Sequence, residues 1–480
     1  MFVLLTFISK NDTIFIIIYI TRIILKGCVD MKKKLTSVLL AAILTLGITA
    51  CSSSGGGSSQ SGDSGSTAES TSAPALKVKT VDEIKAEMKE EAEANGGVIQ
   101  LNIDAETALD SIFNQWKKEF KELYSDPSYE IQILRKNSYT AKNRIALSNN
   151  EILEDDILYV AADDLKSFSD MGIISEIDQS YYGDPSEVFL DAAIEEVTVE
   201  GKLYAYPQNY LSYYIIYDKD VFTDPKDLES LDSIIAKAEE NNKSFGFNLE
   251  NFLYLPAFFF ASGMEIKYEN GVQTADLSSN EAFEAYKSIR DYIKMHHECF
   301  RVRAINIDMP ILFATSDHFS GFIGAGFDLV TVRNNKSGTL PDKNIGIAKM
   351  PTALVNGEQK LLEPSGELIC FAVNSRTKFP KTAQAFAAFI SSAENKRIIA
   401  EKFDANVPIK ELENTDELRT VMAQLPYTPR ISKTYGYEDC FPGASALVND
   451  LYYKNGDVTD ERLQKGIKKR LIDKVIGGTW

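Results

Sequence analysis

From Val81 onward, apolar positions fall into short runs whose spacing switches between helical and strand periods. Val81–Ala94 is highly charged with helical spacing and closes at Asn95-Gly96-Gly97. Residues 98–103 read as a strand. Residues 108–124 follow as an amphipathic helix with Ile112, Trp116, Phe120 and Leu123 on one face. Then come a strand at 129–134, a helix at 140–148, an apolar buried strand at 156–160 and a helix at 165–171. This strand–helix alternation is what a mostly parallel sheet covered by helices requires. A second α/β series predicts helices at 231–241, 252–262 and 281–295, and strands at 244–248, 319–324, 344–349 and 366–373. Helices at 380–391, 393–403, 415–425, 445–452 and 459–475 complete the chain, which contains no internal repeat. A chain of 480 residues exceeds one core, so the reading is α/β in two lobes.

The start of the chain has a different character. Met31-Lys32-Lys33-Lys34, the apolar run Leu39–Ile48 and Thr49-Ala50-Cys51 stand in the order of a bacterial lipoprotein signal and its lipobox, which they resemble. A Ser/Gly-rich tract follows from Ser52 to about Ser72, as a tether would behind an anchor. The expectation is export, cleavage before Cys51 and lipid on its sulfur, with the tether reaching residue 76. The competing reading is cleavage at an ordinary site with Cys51 incidental. Residues 1–30 hold two apolar patches, both shorter than the roughly 20 residues of a membrane helix. They read as a mis-set start ahead of Met31, or as an N-terminal extension.

Charge and cysteines narrow the partners. The chain carries −18, and residues 1–50 hold six Lys/Arg against two Asp/Glu, so the remainder is more acidic than the whole. Such a surface excludes nucleic acid and disfavours polyanions, leaving neutral or cationic ligands. Beyond Cys28 and Cys51 stand Cys299, Cys370 and Cys440, which allow at most one disulfide and leave at least one free thiol. His296-His297-Glu298-Cys299 are metal-ligating types in succession. Adjacent helical residues diverge by about 100°, so the run reads as a solvated helix end and no metal site is expected.

Gly201-Lys202-Leu203-Tyr204-Ala205-Tyr206-Pro207 followed by Tyr217-Asp218-Lys219-Asp220 resembles the hinge crossing of extracellular solute-binding proteins of the maltose-binding type. Asp156–Asp163 with Met171-Gly172 is similar to that family's third strand and the turn after it. Asn248-Leu249, Leu255-Pro256 and Lys267–Gly271 are similar to its second-lobe motifs, and Ala372-Val373-Asn374 with 383–390 to its return strand and helix. The resemblance covers most of residues 98–475 and rests on collinearity rather than on one motif. It implies a two-lobed periplasmic-binding-protein-like clamp with crossing hinge strands, one lobe of 77–211 plus 371–422, the other of 212–366 plus 423–480. It further implies a monomeric binder that closes on an oligosaccharide, maltodextrin first, and hands it to the permease subunits of an ABC importer, with no catalytic residue and no cofactor.

Sugar clamps combine aromatic faces for the apolar side of a pyranose with polar groups for its hydroxyls. By the resemblance, Asp163 falls on a sugar-binding aspartate; otherwise it caps the helix beginning at Leu165. Asp164 stands where the family has an arginine. Glu250 or Asn251 falls near a sugar-binding glutamate and Phe252 near a stacking tyrosine. Phe327, after Gly324-Ala325-Gly326, and Phe441, before Pro442, match stacking positions, with core packing as the alternative for the last two. Leu211 replaces a cleft glutamate, for which Tyr210 compensates or which this ligand does not require. Asp104 and Glu106, after the first strand, are hydroxyl acceptors or solvated loop residues. Two other classes fit the same sequence: a lipid-anchored glycoside hydrolase, with Asp163 and Glu250 facing across a cleft, and a surface glycan adhesin or sensor without an importer.

Overall fold

Two five-stranded sheets organise the chain. They are seen in a computed structural model that describes residues 76–136, 154–269, 272–302, 309–338, 341–430 and 440–474. In chain order their strands are β1 (Val98–Asp104), β2 (Glu130–Lys136), β3 (Ile157–Ala161), β4 (Ala205–Leu211) and β5 (Tyr213–Asp218), followed by β6 (Ser244–Phe247), β7 (Phe300–Arg301), β8 (Phe319–Ala325), β9 (Ile345–Ala348) and β10 (Glu367–Val373). The first sheet has the order β2-β1-β3-β10-β4 and the second β7-β6-β8-β5-β9. β1 runs parallel to β2 and β3, while β10 runs antiparallel to β3 and β4. β6 runs parallel to β7 and β8, while β5 is antiparallel to β8 and β9. β3 is buried at all five positions, as its unbroken apolar run requires of a strand covered on both faces.

Helix Asp110–Tyr124 buries Ile112, Phe113, Trp116, Phe120 and Tyr124. Leu123, expected on that face, is 41% exposed. Phe113 belongs to the apolar stripe and moves its centre toward Tyr124. The Trp116 indole N–H donates to Asn395 Oδ1 at 2.9 Å, which lets the ring be fully buried. In the second core, Tyr286, Ile289 and Ile293 of helix Asn280–His296 cluster with Phe258, Phe259 and Phe260. The apolar run 252–262 becomes helical only from Pro256 to Ala261. Asn251 Oδ1 accepts from Leu253 N at 2.9 Å, an Asx turn that delays the start. Helix Gly326–Asn334 and the hairpin Thr352–Val355 with Glu358–Leu361 have no counterpart in the sequence reading. The helix expected at 140–148 lies outside the described residues.

Helix Val81–Ala94 opens with a capping box between Thr80 and Glu83 and buries Ile84, Met88 and Ala92 in the first core. Its Glu91 accepts from the backbone N–H of Lys381 and of Thr382 (3.0 Å) and from Thr382 Oγ1 (2.7 Å). Those donors lie in the first turn of helix Pro380–Ile390, where backbone N–H groups have no partner within the helix.

Only Ser212 separates β4, in the first sheet, from β5, in the second. The buried segment Asp404-Ala405-Asn406 fastens this crossing. Asn406 Nδ2 donates to the carbonyls of Tyr210 (3.2 Å) and Ser212 (3.4 Å), and its Oδ1 accepts from the Tyr214 hydroxyl at 3.0 Å. The Asn406 carbonyl accepts from Tyr210 N at 2.9 Å. Asp404 accepts from Asn406 N (2.8 Å) on one oxygen and from Asn209 Nδ2 (3.0 Å) on the other. The carbonyl of Gly326, where its helix follows β8, accepts from Ala405 N at 3.3 Å. A Cβ there would sit 1.9 Å from Asp404 Oδ1, so only glycine permits this approach. Burial raises the Asp404 carboxyl to about 7, with the charges of Glu106 and Asp328 adding to it and the bonds from Asn406 and Asn209 opposing it.

Asn406→Leu keeps the side-chain size but strands the Tyr214 hydroxyl and two carbonyls. Each such loss costs about 1–3 kcal/mol. Urea denaturation is expected to show roughly 3 kcal/mol or more of lost stability, and an unchanged midpoint would contradict the clamp. Asp404 is an acid held above its ordinary pKa, so the folded state binds its proton more tightly than the unfolded state. Its stabilising effect is full below about 4 and is lost as pH rises to about 7. The stability of wild type minus that of Asp404→Asn should therefore fall across this window and level off above it. Melting curves of the two proteins that stay parallel from pH 4 to 8 would sink this assignment.

Candidate functional site

The parallel pairing of β1, β2 and β3 brings the carboxyl ends of β1 and β3 to one edge of the first sheet, where open α/β sheets place their ligands. A cavity of about 510 Å³ opens there between elements of the two sheets. The first sheet contributes Glu106 after β1, Tyr159 of β3, Asn209 of β4 and Ile369 of β10. Leu253, Phe327 and Val330 line it from the second, and Phe403 and Asp404 close it.

The first-sheet wall is rich in acceptors. Tyr159 is buried, with its ring centre 5.3 Å from that of Phe371. Burial holds its phenol protonated far above the ordinary range, reinforced by the charges of Glu106, Asp404, Glu367 and Asp104. Asn209 is 3% exposed; its amide N–H serves Asp404, while its Oδ1 has no hydrogen-bond partner among the described residues. The opposite wall offers the half-buried Phe327 ring beside Leu253 and Val330.

Four of the sequence-predicted residues meet elsewhere. Glu250, Asn251 and Phe252, all half-buried, share a second cavity of about 370 Å³ with Asn248, Ser445 and Phe441. Phe441 is 1% exposed, packs in the second core and forms the floor of this cavity. Asp163, Asp164 and Tyr210 belong to a third group. Asp163 stands in the turn after β3, open to solvent but recessed. Lost hydration raises its carboxyl and Arg430 opposes that rise. Arg430 pairs with Glu196 at 3.0 Å, and Glu196 also accepts from the Tyr210 hydroxyl at 2.9 Å. Asp164, not Asp163, occupies the N-cap position of helix Leu165–Asp170, without a side-chain capping bond. Asp164 and Asp104 are fully buried.

Glu106 and Phe327 thus share one cavity, Glu250 to Phe252 and Phe441 a second, and Asp163, Asp164 and Tyr210 a third cluster. Sequence reasoning passed over Asn209, Tyr159 and Asp404. Strand alternation would have found the first: Asn209 and Leu211 share a face of β4 and line the cavity, which leaves Tyr210 on the other face. Asp404 carries no local signal.

Cys299 and Cys370 are free thiols, and the Cys440 thiol lies 3.7 Å from the Gln273 carbonyl. His297 stacks on Tyr452 with ring centres 5.0 Å apart, and His318 Nε2 lies 3.1 Å from Ser244 Oγ. Among the described residues no helix is long and apolar enough to cross a membrane.

Solved structures share this architecture at low identity. The maltodextrin-binding protein of L. casei, solved without ligand, is 17% identical with a TM-score of 0.54, over 79% of this chain and 100% of that chain. The GacH receptor of Streptomyces glaucescens, solved unliganded and with acarbose, is 16% identical with a TM-score of 0.53, over 78% of this chain and 98% of that one. The maltose-maltodextrin binding protein of Alicyclobacillus acidocaldarius is 16% identical with a TM-score of 0.52, over 78% and 99%. These likenesses establish the two-lobed binding-protein fold. No curated protein matches the sequence. The family model described as bacterial extracellular solute-binding protein matches residues 115–417, more than half of the chain, and the protein belongs to that family of binders rather than to a family of enzymes.

Proposed function

We propose that this protein is the membrane-anchored, substrate-binding lipoprotein of an ABC sugar importer and captures an oligosaccharide, maltodextrin-like first, by closing its lobes. The observation that carries the reading is the cavity shared by both sheets, with the polar Glu106, Tyr159, Asn209 and Asp404 facing the ring of Phe327. Acceptors and donors on one wall suit sugar hydroxyls, and an aromatic face on the other suits the apolar side of a pyranose. The similar solved structures are of binders of maltodextrin, maltose or acarbose, which supports the same class. The lobes are 77–211 with 371–422 and 212–366 with 423–480, moving about the β4–β5 crossing. A linear glycan would run from the main cavity along Phe252 and Glu250 on one side and Asp163 on the other. Lipid on Cys51 holds the protein, as a monomer, at the extracytoplasmic face beside its permease. That cysteine and residues 1–30 lie outside the described residues.

Calorimetry with maltodextrins against the processed chain tests the ligand. Phe327→Ala should weaken binding about tenfold, since a stack is worth on the order of 1 kcal/mol beyond buried area and 1.4 kcal/mol is one decade. Asp163→Ala should cost at least as much by leaving sugar hydroxyls unpaired. Both variants should melt as the wild type does. Unchanged affinity in both would mean that the site lies elsewhere, and turnover of the glycan would mean that the protein is a hydrolase.

Anchoring has its own test. Cys51→Ala should release the protein to the soluble fraction or leave the precursor uncut. A variant that is processed normally and sediments with membrane would refute lipidation.

A further inference from the structure

We propose that Glu239, His296 and Cys299 form a binding site for a borderline divalent metal ion of the zinc class, on the flank of the second sheet. Glu239 lies in the last turn of helix Leu231–Glu240, and His296 is the last residue of helix Asn280–His296. Cys299 follows in a turn closed by its N–H on the His296 carbonyl at 3.0 Å. One Glu239 oxygen lies 2.9 Å from His296 Nδ1 and accepts from Cys299 Sγ at 3.1 Å. One donor atom from each residue lies within 4.8 Å of the other two.

Residues directly adjacent on a helix diverge, but a three-residue step returns to nearly the same side. His296 and Cys299 make that step, His297 turns away to stack on Tyr452, and the third donor comes from a helix far away in sequence.

The chemistry suits zinc. Its bonds to thiolate, imidazole and carboxylate are about 2.0–2.3 Å, so tetrahedral donors stand roughly 3.4–3.7 Å apart. The Glu239 contacts need to open by only about half an ångström to admit the ion. A thiolate–imidazole–carboxylate set selects zinc-like ions over Mg²⁺ or Ca²⁺, which prefer all-oxygen shells. Two helix C-termini converge here, and their partial negative charge favours a cation. Cys299 is buried, His296 half-buried and Glu239 exposed, so the ion has a solvent entry and a fourth position open to water. On binding, the Cys299 thiol loses its proton to solvent and the thiolate takes the metal. None of the three residues lines either cavity described above. Their role is to clasp the sheet edge, because the Cys299 carbonyl accepts from Phe245 of β6 and β7 begins at the next residue.

Co²⁺ is the probe, titrated into the reduced full chain and then displaced with Zn²⁺. The expected result is one bound equivalent with a thiolate-to-cobalt charge-transfer band and tetrahedral d–d bands, all lost on adding Zn²⁺. Cys299→Ser should abolish the charge-transfer band. His296→Ala and Glu239→Gln, at accessible positions, should each weaken Co²⁺ binding tenfold or more. Zn²⁺ should raise the melting temperature of wild type and not of Cys299→Ser. Wild type that binds no Co²⁺, or a charge-transfer band that survives in Cys299→Ser, would overturn the site. Full affinity in Glu239→Gln would do the same even if the cysteine variant failed to fold.

Discussion

The arrangement of the two sheets depends on how a single peptide, Ser212, is held between β4 and β5. Its own carbonyl and that of Tyr210 are bound by one buried amide, that of Asn406, which also takes the Tyr214 hydroxyl. Asn406 is in turn oriented by Asp404, whose second oxygen holds Asn209. An unmade hydrogen bond in such a place costs more than a made one contributes, so the network acts as an all-or-none fastener. Its cost is a carboxyl deprived of water, which loses part of its charge near neutrality. The same fastener places Asn209 and Asp404 on the cavity wall, so the crossing and the cavity share residues.

That coupling explains why the fold was more legible than the site. Strand–helix alternation depends on local periodicity, and β3, with five consecutive buried positions, declares itself. Trp116 on its helical stripe is equally plain. Errors came where a neighbour decides. Leu123 lost its place to Tyr124 because Phe113 shifted the stripe, and the apolar run before Pro256 was held out of the helix by Asn251. Tyr210 drew attention beside Leu211, although the pleat turns it away and presents Asn209. Asp404 lies 195 residues from its partner Asn209, and Glu239 lies 57 from His296. Neither pairing leaves a trace in spacing.

The cavity walls differ in kind. Carboxylates gather around Tyr159 on the first-sheet side, whereas Phe327 and its aliphatic neighbours form the other. The acidic wall accepts hydrogen bonds and repels anions, in keeping with the charge of the chain. The apolar wall supplies contact area without choosing a charge. A ligand that satisfies both walls must present hydroxyl or ammonium donors on one face and carbon on the other.

The Glu91 cap has a mechanical consequence. It fastens helix Val81–Ala94 to helix Pro380–Ile390, and its buried side chains belong to the first core. A pull applied at residue 76 would therefore load the first core directly. It would be borne as shear between the two helices that the Glu91 bonds join.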